Sequence, residues 1–202
     1  MPAVHIAVFD TFADWETGYA TAHIVRPQWQ KTPGRYRVVT VALTREPVTT
    51  MGGIRITPDI TLAELKPEDS AMLILAGGDT WGTEAMTPFT DAARRFLDAG
   101  VPVAAACGAT FGLAVAGLLD NRAHTSNAAE YLAASGYGGG DRFRNEPAVV
   151  DGALITASGV APVHFARAIL DRLGVYEPSV LQSWFKLYAH RDPAGFFELM
   201  AV

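Results

Sequence analysis

The sequence predicts an α/β sandwich of one domain, with a mainly parallel sheet covered by helices on both faces. Three observations carry that prediction. The chain has 202 residues, a length that suits a single domain, and no repeat or Pro/Ser-rich linker divides it. Half of its residues are hydrophobic and 18% are charged, which excludes a disordered or fibrous chain and allows a core without disulfide staples. Short, continuously apolar runs alternate with longer helical stretches, the pattern of strands buried on both faces beneath crossover helices.

The elements follow in order. Residues 3–9 are apolar and end at Asp10, as a buried strand does. Residues 15–26 read as a helix stopped by Pro27, and 36–44 as a valine-rich strand. The turn residues Thr50, Met51, Gly52 and Gly53 place a small hairpin around them. Residues 71–76 form a buried strand closed by Gly77 and Gly78. Residues 84–98 carry Phe89, Ala93, Phe96 and Leu97 on one helical face. Residues 102–106 and 108–119 read as a strand and the helix after it, and 136–140 as a flexible glycine loop. Asp151-Gly152 is a tight-turn signal joining two strands within 149–156. Residues 160–173, and the chain from about 179 onward, are helical.

Composition narrows the function. Sixteen basic and twenty-one acidic residues give a net charge of −5, and the basic residues are scattered, so the clustered face that nucleic acid requires is absent. The N-terminus has no basic region before its apolar stretch, which argues against a secretory signal and for a cytoplasmic protein. Residues 101–119 are uncharged and approach a membrane span in length, but Pro102, Gly108 and Gly112 and the many alanines make them small rather than greasy. They read as a buried strand and helix, and no membrane partner is expected. A single cysteine leaves no internal disulfide and no multi-cysteine metal site. Neither a nucleotide-binding glycine loop nor a His-Glu-x-x-His pattern occurs, so no cofactor or metal is expected.

In parallel sheets, ligands bind beyond the carboxyl ends of the strands. Asp10 and Glu16, Gly77-Gly78-Asp79, and Cys107 all follow predicted strands, so they converge at one edge. Free cysteine packs as a small hydrophobe in many cores. Cys107 differs because Ala105 and Ala109 flank it at two residues' distance, on a strand-to-helix junction. A sharp nucleophile-bearing turn demands small residues there. Such a turn exposes the sulfur at a helix N-terminus, which favours a thiolate. The N–H of Gly108 and that of Gly78 are candidate oxyanion donors. Glu16 suits a helix first turn, but Asp14 fits the capping role as well, which leaves Glu16 free to face the site. Of the five histidines, His124 most closely follows the predicted helix after Cys107, and is the candidate base.

These residues resemble the ThiJ/PfpI superfamily, whose fold is like that of class I glutamine amidotransferases. The likeness covers nearly the whole chain. It rests on Phe12-Ala13-Asp14-Trp15-Glu16, on Leu73-Ile74-Leu75-Ala76-Gly77-Gly78, on Ala104-Ala105-Ala106-Cys107-Gly108-Ala109-Thr110, on Gly117-Leu118-Leu119-Asp120-Asn121-Arg122, and on the block from Val150 to Gly159. The resemblance implies a flavodoxin-like sandwich, usually a homodimer, with Cys107 as nucleophile, Glu16 as the carboxyl partner of the thiol, and Gly78 and Gly108 lining an anion pocket. Members include amidases or peptidases, glyoxal-metabolising lyases, isocyanide hydratases and redox-responsive stress proteins.

Three departures shape the expectation. Gly108 stands where PfpI-type peptidases have a histidine, so the peptidase reading loses support. Residues 156–159 lack the late His-x-Glu of glutaminases. Asn127 stands where other members place a histidine, with His124 three residues earlier, about 10 Å along an extended strand and on its other face. The expected function is a cofactor-free cysteine hydrolase, hydratase or lyase using Cys107, Glu16 and His124 on a small carbonyl-like or isocyanide-like substrate. The alternative is a redox-responsive protein in which Cys107 becomes a sulfinate.

Overall fold

The computed structural model describes residues 1–202. Its strands are β1 (Ala3–Ala7), β2 (Arg37–Ala42), β3 (Val48–Thr49), β4 (Arg55–Ile56), β5 (Ile60–Thr61), β6 (Ser70–Leu75), β7 (Val103–Ala106), β8 (Ala148–Asp151) and β9 (Leu154–Ala157). Its helices are α1 (Asp14–Val25), α2 (Thr87–Asp98), α3 (Gly108–Val115), α4 (Ala129–Ala133), α5 (Pro162–Leu173), α6 (Pro178–His190) and α7 (Pro193–Met200). Seven strands form one sheet in the order β5-β2-β1-β6-β7-β9-β8. Every neighbouring pair is parallel except β8 and β9, the antiparallel hairpin at the edge. The remaining two strands, β3 and β4, make the small hairpin read from the turn residues.

The apolar runs become strands because they are covered on both faces. β1, β7 and β9 are buried at every position. Helix α1 packs on α5 and β2, and α5 on β8 and β9, while α2 and α3 pack on each other and on β7. Helix α2 buries Phe89, Ala92, Ala93, Phe96 and Leu97, the i, i+3, i+4, i+7, i+8 stripe of an amphipathic helix. Proline occupies the first turn of α2, α5, α6 and α7, where its missing N–H has no intrahelical partner to lose.

Differences from the sequence reading are local. The helix after Cys107 ends at Val115, and Gly117 follows with φ 69°. The C-terminal helical stretch is two helices, separated at Arg191 (φ 55°) and restarted at Pro193 with the Asp192 carboxylate accepting from Ala194 N–H. The loop at 136–140 runs into a 3-10 turn over Gly140–Arg142. Strand β5 and helix α4 have two and five residues, too short to show a period. No helix is long and apolar enough to cross a membrane.

Helix α1 is anchored by a buried polar cluster. Trp184 Nε1 donates to His23 Nε2 at 2.9 Å, and His23 Nδ1 lies 2.6 Å from the Tyr176 hydroxyl. An indole N–H can only donate, so Nε2 accepts and the proton sits on Nδ1. Burial, with Arg26 adding to it, lowers the His23 pKa to about 4 and keeps the ring neutral.

Candidate active site

The strand ends meet at one edge. Strand β6 runs into Gly77 and Gly78, β7 into Cys107 and β9 into Ser158 and Gly159, while Glu16 follows β1 on the first turn of α1. Cys107 occupies the β7–α3 junction with φ 52° and ψ −122°, a conformation that costs a non-glycine residue on the order of 1–3 kcal/mol. The surroundings hold it there. Its N–H donates to Ala157 O at 3.1 Å, and its carbonyl accepts from the Thr110 hydroxyl at 2.6 Å and the Thr110 N–H at 3.1 Å. The sulfur is half-buried.

Glu16 is 1% exposed. Its Oε2 accepts from Gly77 N–H at 2.7 Å. Its Oε1 is buried without a hydrogen bond from any N–H or hydroxyl and faces the thiol. Two glycines press on the pair from separate loops. A β-carbon on Gly77 would lie 3.0 Å from both Cys107 Sγ and Glu16 Oε1, and one on Gly159 would lie 2.9 Å and 2.7 Å from them.

Charge in this pocket is unfavourable. Burial pushes the Glu16 carboxyl above its usual range, against the hydrogen bonds from Gly77 and Cys107. Burial also pushes the Cys107 thiol up, and Glu16 adds to that, against hydrogen bonds from Asn127 and the Gly108 N–H. The thiolate expected from the helix N-terminus alone is therefore outweighed by desolvation and by a like-charged neighbour. The pair titrates as a unit and resists carrying two negative charges. The phenol of Tyr131 on α4 is held high by burial and then by the charges of Cys107 and Glu16.

Asn127 reaches the sulfur and His124 does not. Asn127 Nδ2 donates to Cys107 Sγ at 3.1 Å, and its Oδ1 accepts from Gly159 N–H at 2.9 Å and the Ser158 hydroxyl at 3.3 Å. His124 is fully buried, with Nδ1 on Arg122 O at 2.8 Å, Nε2 on the Tyr137 hydroxyl at 2.8 Å, and its ring packed on Tyr137 and Phe143. Both ring nitrogens are engaged away from the thiol. The placement of His124 as the base at the sulfur is corrected for that reason, since three residues of extended chain turn the side chain into the core.

The other expectations fare individually. Gly108 adjoins Gly78, whose carbonyl would be 3.0 Å from a β-carbon on Gly108. It is Gly77, however, that places an N–H on Glu16. Asp14 does not cap α1. Its carboxylate accepts from the Thr50 hydroxyl at 2.5 Å and Gly52 N–H at 3.2 Å, tying the β3–β4 hairpin to the site loop. Gly159 went unseen as a site residue, and the one signal for it was a small residue just past the end of a buried strand. It accepts from Trp15 Nε1 at 3.3 Å, so the 158–160 loop links α1 to Asn127. A cavity of about 430 Å³ opens beside this loop, lined by Ser126, Asn127, Ser158 and Val160 among others.

Comparison with known proteins finds relatives of this chain. Residues 2–172 match the model of the DJ-1/PfpI family. The chain is 42% identical over 200 residues to "Uncharacterized protease YoaZ" of Bacillus subtilis (strain 168), covering 98% of this chain and 95% of that protein. It is 33% identical over 179 residues to "Uncharacterized protease YdeA" of the same organism, covering 87% and 85%. Among solved structures, a thiJ/pfpI family protein from Bacillus anthracis superposes with TM-score 0.93 at 41% identity, covering 100% of this chain and 97% of that one. A DJ-1 superfamily protein from Agrobacterium tumefaciens superposes with TM-score 0.83 at 33% identity, covering 95% and 100%.

Proposed function

The chain belongs to the DJ-1/PfpI family, and from that premise we propose that it is a cysteine-dependent hydrolase, hydratase or lyase acting on a small carbonyl-like or isocyanide-like molecule. Fold membership does not choose the reaction, so the reading rests on the site. Its main support is one observation: a thiol in a strained turn faces a buried carboxyl oxygen that no N–H or hydroxyl satisfies.

In the reactive form the pair keeps one proton, on Glu16, and Cys107 is the thiolate. Sγ attacks the electrophilic carbon, forming a C–S bond as the π pair moves onto oxygen at a carbonyl, or comes to rest on the terminal carbon itself at an isocyanide. Glu16 gives that atom its proton, and the N–H groups of Gly78 and Gly108 stabilise the developing charge. Glu16, now a carboxylate, takes a proton from the water that releases the product. The relatives' names carry the word protease, but we do not extend the proposal to peptide bonds. Cysteine peptidases rely on a histidine base at the thiol, and the side chain on this sulfur is Asn127.

The unsatisfied Glu16 oxygen also favours a second reading, in which peroxide oxidises Cys107. Each equivalent transfers one oxygen to sulfur and leaves as water, and the protonated Glu16 then donates to the sulfinate. One experiment separates the two. A panel of small aldehydes, amides and isocyanides is run on the wild type and on Cys107→Ala. Turnover that vanishes in the variant supports the enzyme. No turnover, with a mass gain of two oxygen atoms under mild peroxide, supports the oxidation reading. Turnover that survives Cys107→Ala defeats the cysteine mechanism.

A further inference from the structure

We propose that Asn127 is a positioning residue of this site, turned by the 158–160 loop so that its amide holds the Cys107 sulfur in its reactive form. The inference rests on the reading of Cys107 as the reactive group and adds the part that sets its reactivity. The orientation of the amide is forced. Gly159 N–H lies 2.9 Å from Oδ1 and can only donate. Flipping the amide would set its NH₂ against that N–H, donor to donor, so Oδ1 must face Gly159 and Nδ2 must face the sulfur at 3.1 Å. The Ser158 hydroxyl, at 3.3 Å from Oδ1, reinforces the same orientation. The backbone of Gly159 is fixed in turn, because its carbonyl accepts from Trp15 Nε1 at 3.3 Å.

The groups that act on the sulfur define why this matters. Glu16 comes from α1 and adds no positive charge. The Gly108 N–H and the Asn127 amide are the donors. No cation shifts this thiol. Asn127 therefore supplies, as a neutral side-chain donor, the support that a thiolate commonly draws from a protonated histidine or lysine. A hydrogen bond to a charged group contributes more than one between neutral partners.

The test is the rate of iodoacetamide alkylation against pH for wild type, Asn127→Ala and Asn127→Asp, with thermal unfolding measured beside it. The aspartate keeps an acceptor for Gly159 while replacing the donor to sulfur by a negative charge, so with the loop still tied it should oppose the thiolate more than the alanine does. We expect Asn127→Ala to react about tenfold more slowly than wild type at pH 7 and Asn127→Asp more slowly still, with the plateau rate at high pH unchanged. An Asn127→Asp profile that overlays the wild type would overturn the proposal, as would an equal loss at every pH, which signals access alone. Alkylation needs no substrate, so a shifted profile stands even if the substrate panel finds no turnover, and an unshifted one fails even if turnover is found.

Discussion

Glu16 Oε1 and Cys107 Sγ both lie 3.0 Å from one point, the place a β-carbon on Gly77 would take. A carboxyl and a thiol brought together out of water cannot both ionise cheaply, and burial is the first cause raising each. The proton inventory of this pair is what the proposed chemistry turns on.

Replacing Glu16 by Gln removes the carboxyl charge that opposes ionisation of the thiol. Alkylation of Cys107 at neutral pH should then be faster than in wild type. The sign for stability follows from the same shift. Glu16 is raised above its ordinary 4.5 in the folded protein, so the native state holds a proton that the unfolded chain releases. Its contribution is present below 4.5 and is lost as pH rises through the folded value. The urea midpoint of Glu16→Gln should therefore gain on that of wild type between pH 4.5 and neutrality. Parallel pH dependences would show that Glu16 is not the buried group the geometry describes.

Four histidines, His5, His23, His124 and His164, give the opposite pH sign, and the first two are shifted furthest. Burial, with Arg37 adding to it, lowers His5 to about 4, and burial lowers His23 to about 4. Unfolding lets each ring bind a proton at its ordinary 6.5, so stability is full above that value and declines as pH falls from 6.5 toward 4. Each contributes roughly 3 kcal/mol over the full window. Between pH 6.5 and 5, ahead of most carboxyl titration, urea midpoints of wild type should fall as the four histidines take up protons on unfolding, with Glu16 opposing them. His23→Phe should reduce that slope by up to one proton while lowering stability overall through the lost Trp184 and Tyr176 bonds. A slope unchanged by the substitution would mean that His23 is not held neutral.

The parts legible in the sequence were those governed by near-range rules. Apolar runs marked β1, β6, β7 and β9, and small residues around Cys107 marked the turn, because a tight reversal excludes bulk whatever surrounds it. The environment of Glu16 was not legible by period. Helix α1 buries Glu16, Thr17, Ala20, His23 and Ile24, a stripe at helical spacing that is half polar, so hydrophobic patterning alone cannot identify its inward face. Asp14 had the sequence of a cap but was claimed by a hairpin 36 residues away. The choice between His124 and Asn127 turned on which face of a short extended segment meets the thiol, and composition does not report that. The protonation of Cys107 depended on how far desolvation exceeds the helix terminus, which only the packed site decides.

His124→Ala should behave as a core lesion. The substitution empties a fully buried site and leaves the Tyr137 hydroxyl and Arg122 carbonyl without their partner, a loss on the order of 2–4 kcal/mol. Well below its melting temperature, the variant should alkylate at Cys107 with the wild-type pH profile and retain turnover. A 10²–10⁴-fold loss of kcat, the scale of a missing acid–base group, would return His124 to the chemistry.

The closing prediction compares two glycine-to-alanine changes whose outcomes should differ in sign. Neither Gly18 nor Gly159 has positive φ, so alanine is conformationally allowed at both and the surroundings decide. Gly18 lies inside α1 with nothing within 4 Å of a would-be β-carbon, and helix propensity alone predicts a gain of about 0.8–1 kcal/mol. At Gly159 a β-carbon would lie 2.7 Å from Glu16 Oε1, 2.8 Å from Cys107 Cβ and 2.9 Å from its sulfur. The loop cannot swing aside freely, because Asn127 holds its N–H and Trp15 its carbonyl. Glu16 cannot retreat without breaking its 2.7 Å bond to Gly77. Overpacking of this kind costs about 1–3 kcal/mol, and it acts on the two groups proposed to react, so turnover should fall with stability. Urea denaturation of the two variants reads both signs at once. A Gly159→Ala protein as stable and as active as wild type would mean that the Glu16–Cys107 pair is not clasped between the two glycine loops.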